Sequence, residues 1–190
     1  MIVYLHGFNS APASHKARAM HAYMQARGVG DKFLCPALPD QPAAALAVIE
    51  AALAQAGPRA TLVGSSLGGF YATWFAETRD LRAVLINPAI TPHIGLESYL
   101  GENRNLYTDV PWQLTRAHLD EWRALLRERI DPERYLLLLE TGDEVLDWRA
   151  AAAKYAGART VIRDGGDHTL RSFPEHLPRI LAFAGIAGTD

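Results

Sequence analysis

Gly64-Ser65-Ser66-Leu67-Gly68 is the stretch on which the fold turns. It fits G-x-S-x-G with Ser66 at the centre, directly after the apolar run 60–63 and directly before a helix-period segment carrying Phe70, Tyr71, Trp74 and Phe75. With 15 glycines in 190 residues, such a pentad arises by chance in roughly one chain in twenty-five of this composition, so its place at a strand-to-helix joint carries more weight than the pattern. A nucleophile elbow needs that joint: the sharp turn strains the serine backbone, and glycines on either side let the neighbouring elements approach closely. The competing readings are a plain glycine-rich turn and a phosphate cradle. A P-loop would require Lys where Phe70 stands and no G-x-G-x-x-G occurs, so nucleotide binding finds little support.

Outward from the pentad, apolar runs of strand length alternate with helix-period segments, the pattern of a mostly parallel sheet with helices on both faces. The runs 2–5, 32–35, 60–63, 83–86, 135–139 and 160–162 read as six strands, in the order 2-1-3-4-5-6. Ser14 reads as the N-cap of a helix with Ala17, Met20, Tyr23 and Met24 on one face and Gly28 at its end. Pro42 opens a second helix with Leu46, Ile49 and Leu53 inward, and Leu119, Trp122, Leu126 and Ile130 mark another. Pro174 and Pro178 do not both suit one helix interior, so the final helix is expected to begin near Pro178. Between residues 88 and 115 the periodicity fails, which predicts a small lid, or a short helix, within a single domain spanning 1–190.

A serine hydroxyl is a weak nucleophile without a base and a group that holds the base in one tautomer. His168 is favoured as the base because it lies in the glycine loop 164–168 beyond the last strand; His176, bracketed by two prolines on a segment expected to lead outward, is the competitor. Asp143 is favoured as the acid because it stands at the C-terminal end of the fifth strand, whereas Asp147 reads as the N-cap of the next helix. Asp167, adjacent to His168, suits turn formation. The oxyanion of an acyl-transfer intermediate would be met by backbone N–H groups of Leu67, at a helix N-terminus, and Phe8, in the loop His6-Gly7-Phe8-Asn9 after the first strand. His6 is then a loop-shaping residue. A metal site built from His6, Asp164, Asp167 and His168 matches no zinc spacing, and neither a metal nor a cofactor is expected.

Taken together, Tyr4-Leu5-His6-Gly7-Phe8-Asn9-Ser10, the segment 64–74, Asn87-Pro88-Ala89, the segment 141–147 and Gly165-Gly166-Asp167-His168 resemble the YqiA-type esterases, small bacterial α/β-hydrolases. The resemblance implies a reduced α/β-hydrolase fold without the two leading strands of larger members. It also implies a carboxylesterase for short acyl esters, with acyl-CoA thioesters as a further candidate class, and Ser66, Asp143 and His168 as the triad. Asp167 where Asn is common and Trp148 where Tyr is common depart from the family pattern, and neither falls on a triad position.

Composition narrows the rest. There are 19 basic and 21 acidic side chains, a net charge of −2, 49% hydrophobic residues and no basic block, which argues against nucleic acid as a partner. The single Cys35 forms no internal disulfide and fits a reducing compartment as a small buried hydrophobe. The first apolar run is too short for a signal or a membrane span, so a cytoplasmic protein with no membrane partner is expected. Tyr99, Tyr107 and Trp112, in the aperiodic stretch, are candidates to line the substrate pocket. The rival readings are another acyl-transfer or C–C hydrolase on the same triad, and a non-catalytic binding module that keeps the fold. Oligomeric state is not legible.

Overall fold

Strands that read as unbroken apolar runs belong where both sheet faces are covered. The computed structural model, which describes residues 1–187, buries the runs at 2–5, 61–65, 83–86 and 135–140 so, while the two outer strands at 33–34 and 159–163 are partly or largely exposed. The last three residues of the expected 1–190 unit lie outside the described residues. In chain order the elements are β1 (Ile2–Leu5), α1 (His15–Gln25), β2 (Phe33–Leu34), α2 (Pro42–Ala56), β3 (Thr61–Ser65), α3 (Leu67–Arg79), β4 (Arg82–Ile86) and α4 (Pro92–Gly95). There follow β5 (Gly101–Arg104), β6 (Pro111–Leu114), α5 (Arg116–Ala124), β7 (Tyr135–Glu140), α6 (Trp148–Lys154), β8 (Arg159–Arg163) and α7 (Phe173–Phe183).

Six of these strands form one parallel sheet in the order β2-β1-β3-β4-β7-β8, the order expected for the six apolar runs. Side chains alternate across it with the period of a strand. Val3, Leu5, Leu62, Leu85 and Leu137 face the layer containing α2, α3 and α5, whereas Ile2, Tyr4, Val63, Val84, Ile86 and Leu138 face α1 and α7. Phe75, fully buried at the centre of the first layer, anchors α3 to the sheet; its truncation to Ala should cost about 3–5 kcal/mol.

Several local expectations are corrected. The aperiodic stretch does hold a short helix, α4, one of its two expected forms, but also a single turn at Glu97–Tyr99 and an unexpected antiparallel hairpin in which Gly101 pairs with Leu114 and Arg104 with Pro111. Ser14 occupies the N-cap position of α1, but its buried hydroxyl makes no capping bond. Helix α5 stops at Ala124, where Leu125 and Leu126 switch to amide bonds reaching three residues back; Leu126 and Ile130 still pack on the core from an irregular turn. Helix α7 starts five residues earlier than expected. Pro174 sits in its first turn, where no intrahelical donor is required, and the bond forfeited by Pro178 would have gone to Pro174 itself. Burial of Phe173, Leu177, Ile180 and Leu181 offsets that loss. His176 therefore points inward: it is buried, with Nε2 3.1 Å from Ser172 Oγ. Among the described residues no helix is long and apolar enough to cross a membrane.

Candidate active site

Ser66 sits between β3 and α3 with φ 54° and ψ −119°, a conformation a non-glycine residue adopts only under constraint. The constraint is visible. Its N–H donates to Ile86 O at 3.0 Å and its carbonyl accepts from Gly69 N at 2.9 Å and Ala89 N at 3.0 Å. The flanking glycines are required by contact: a Cβ on Gly64 would lie 2.3 Å from Gly68 O, and one on Gly68 would lie 2.0 Å from Leu5 O. That is how α3 descends onto β1 and β3 closely enough to turn the serine outward.

His168 arrives on the loop after β8. Its Nε2 is 3.1 Å from Ser66 Oγ, and its Nδ1 is 3.0 and 2.9 Å from the two carboxylate oxygens of Asp143. The Asp143 side chain is almost wholly buried, and Oδ1 also accepts the N–H groups of Val145 (2.9 Å) and Leu146 (2.8 Å). Burial pushes this carboxyl up, but the His168 contact and those amides outweigh it and leave it below the usual carboxylate range. Asp147 is instead the N-cap of α6, accepting from Arg149 N at 3.0 Å. Asp167 turns to Thr169 and Arg171.

Two residues outside the sequence-derived set hold the His168 loop. Asn87, just beyond β4, donates to the carbonyls of Asp167 (3.1 Å) and His168 (3.2 Å) and accepts from Glu140 N (3.2 Å). Glu140, at the end of β7 and 1% exposed, accepts from the amides of Asp167 (2.8 Å), Arg171 (3.1 Å) and Ser172 (2.9 Å) and from Ser172 Oγ (2.5 Å). Burial raises its pKa, but this set of donors overrides burial and holds it below the ordinary value. In the sequence Glu140 is a carboxylate closing an apolar strand, a placement that a solvated strand end explains equally well, so its burial and partners are visible only in the fold.

The loop after β1 stands against the serine: a Cβ on Gly7 would be 3.3 Å from Ser66 Cβ and 3.8 Å from Ser66 Oγ. Leu67 is the first residue of α3, so its N–H precedes any intrahelical acceptor. Phe8 and Leu67 thus border one narrow cleft beside Ser66, together with Leu38, Asp40 and Tyr71. His6 shapes this loop as expected, with Nε2 accepting from Leu38 N at 3.0 Å and Nδ1 3.1 Å from Gly7 O; burial pushes its pKa down, which favours the neutral ring this pairing uses. Tyr99 and Trp112 pack edge-on against Phe8, with centroids 5.7 and 5.5 Å away. Tyr107 lies half-exposed in the hairpin turn, its N–H donating to Asn105 Oδ1 at 3.0 Å. Burial pushes the Cys35 thiol up to about 12, so it is no nucleophile at neutral pH.

The profile of the uncharacterised protein family UPF0227 matches residues 1–185. The chain belongs to the UPF0227 family. This is the YqiA-like grouping that the motif blocks pointed to. A UPF0227 protein of Yersinia pseudotuberculosis serotype O:1b (strain IP 31758) is 29% identical over 188 residues, covering 96% of this chain and 98% of the relative. The fold is that of the α/β-hydrolases. Alpha/beta hydrolase domain-containing protein 10 from mouse superposes with a TM-score of 0.74 at 17% identity, covering 95% of this chain and 87% of its own. Est1E from Butyrivibrio proteoclasticus gives 0.67 at 16% identity, covering 97% and 85%.

Proposed function

We propose that this UPF0227 protein is a serine esterase that hydrolyses carboxylic esters through an acyl-enzyme on Ser66. The observation that carries the reading is the unbroken relay from Ser66 Oγ to His168 Nε2 and from His168 Nδ1 to Asp143. Ser66 Oγ attacks the acyl carbonyl carbon while His168 Nε2 takes the hydroxyl proton, and Asp143 holds the Nδ1–H tautomer and the imidazolium that forms. Negative charge on the carbonyl oxygen is met by the N–H groups of Phe8 and Leu67, each worth about 3 kcal/mol in a site of this kind. Collapse breaks the ester C–O bond, and His168 returns the proton to the departing alkoxide. Water, deprotonated by the same imidazole, then releases the acid and restores Ser66.

Short acyl groups are the substrate class that the resemblance to the YqiA-type esterases implies. A fluorophosphonate probe tests the chemistry: it should label the wild-type protein and leave Ser66→Ala unlabelled. A panel of p-nitrophenyl esters from acetate to palmitate, run beside acyl-CoAs, should rank butyrate above palmitate. No labelling of either protein would favour the non-catalytic binding module, and labelling of both would remove Ser66 from the mechanism.

A further inference from the structure

The hairpin β5–β6 has little core of its own, since its strands are mostly exposed or half-exposed. Apart from Asn103 Nδ2, which donates to Tyr99 O at 2.7 Å, its polar links to the rest of the described chain converge on the two residues that follow Phe8. Leu106 N donates to Asn9 O at 2.9 Å, and Asn105 Nδ2 donates to Ser10 O at 2.8 Å. Trp112 Nε1 donates to Asn9 Oδ1 at 2.7 Å, and Asn9 Nδ2 donates to Asn103 Oδ1 at 3.3 Å. Asn105 is 8% exposed and uses its other side-chain atom as well, accepting from Tyr107 N and Thr108 N. Asn9 itself stands at φ 52°, a left-handed conformation that Asn adopts more readily than most residues.

From this convergence we infer that the hairpin is a fixed brace for the oxyanion loop, with Asn9, Asn103 and Asn105 as its positioning residues. The inference rests on the serine-esterase reading and deepens it. The peptide unit between Gly7 and Phe8 carries both the Gly7 carbonyl and the Phe8 N–H, which point in opposite directions in a trans peptide. His6 Nδ1 holds that carbonyl from one side. The brace fixes the next residue, Asn9, from the other, so the plane of the peptide is set at both ends and its N–H is aimed before substrate arrives. A donor held in this way stabilises the transition-state oxygen more than the ground-state carbonyl, because nothing reorganises as charge develops.

Three variants test this. Asn9→Gly keeps the left-handed backbone accessible while deleting the links to Trp112 and Asn103. Asn105→Ala deletes the link to Ser10, and Trp112→Phe keeps the ring against Phe8 but removes its donor. With p-nitrophenyl butyrate, Asn9→Gly and Asn105→Ala should lose about 10- to 100-fold in kcat with KM within about twofold, and Trp112→Phe less. A trifluoromethyl ketone, which becomes an oxyanion on Ser66, should lose affinity by the same factor, while the non-fluorinated methyl ketone binds as before. Should Asn105→Ala fail to fold, Asn9→Gly and Trp112→Phe decide the matter. Folded variants with unchanged kcat, or an equal loss for both ketones, would overturn the brace. Failure of the wild type itself to turn over any ester or take the fluorophosphonate would instead overturn the esterase reading.

Discussion

His168 Nδ1 lies almost equidistant from both oxygens of Asp143, at 3.0 and 2.9 Å. One of those oxygens is also tied to two backbone amides, so the carboxylate is fixed before the imidazole meets it. Asp143→Asn would present an amide that can donate to Nδ1 and so reward the wrong tautomer. We expect ester turnover to fall by roughly 10⁴-fold with the thermal midpoint little changed. Asp147→Asn, four residues on, keeps an equally good N-cap for α6 and should leave turnover within about twofold. Steady-state kinetics on the pair separates the two carboxylates, and the reverse ranking would move the acid to Asp147.

Ser66 holds φ 54° for the sake of its side chain's position. Glycine tolerates that conformation, so Ser66→Gly should eliminate turnover yet stabilise the fold by about 1 kcal/mol, the relief of strain less the added chain entropy. Ser66→Ala should be equally inactive without that gain. Thermal or urea unfolding of the two variants side by side checks the difference, and a less stable Ser66→Gly would mean that the elbow is not strained.

The same elbow explains how far the sequence could be read. The strands and the site triplet were legible because each rests on a local signal, namely apolar runs, a pentad at a strand-to-helix joint, a carboxylate at a strand end and a histidine in a glycine loop. The strand order followed from the general topology of doubly wound sheets. The hairpin was not legible. Its strand residues Glu102 and Arg104 are exposed, so no apolar alternation marks them, and its support comes from asparagine contacts to Asn9 and Ser10, over ninety positions away. Glu140 and Asn87 escaped for the same reason, since their partners lie in the distant His168 loop. The late start predicted for α7 failed because proline propensity is outweighed by the burial of Phe173 and Leu177.

Gly68 is the glycine at which an added Cβ would come nearest to main chain. A Cβ there would meet the backbone of β1, with Leu5 O at 2.0 Å and His6 O at 2.7 Å, and a main chain inside a sheet cannot step aside as a side chain can. Gly68→Ala should therefore cost well over 3 kcal/mol and leave little soluble, folded protein. Gly165→Ala has open space around it, so its cost should be only the left-handed backbone penalty, about 1 kcal/mol. Soluble yield and urea midpoints compare the two; a well-folded Gly68→Ala would mean that α3 and β1 sit further apart than described.

Stability should fall with acid in two stages. Burial pushes His6, His93 and His176 below the ordinary histidine value of 6.5. The unfolded chain therefore takes up protons at these positions before the folded one does. Their contribution is complete above pH 6.5 and is lost as pH falls through the folded values. Glu140 and Asp143 also lie below their ordinary values, held there by hydrogen bonds that outweigh burial. Their contribution stays intact down to about pH 4–5 and disappears below it, as protonation removes the acceptors that secure the His168 loop. The midpoint of thermal unfolding, followed from pH 8 to pH 3, should decline from about pH 6.5 downward and more steeply below about pH 4.5. His176→Gln retains a donor for Ser172 Oγ without titrating, so it should shrink the first stage by the His176 share, leaving that of His6 and His93, and leave the second unchanged. Glu140→Gln should reduce the second to the Asp143 share while lowering the midpoint at neutral pH, at a cost of about 2 kcal/mol for the lost charged acceptor. A midpoint that does not change between pH 7 and pH 5 would show that these histidines titrate alike in the folded and unfolded chain.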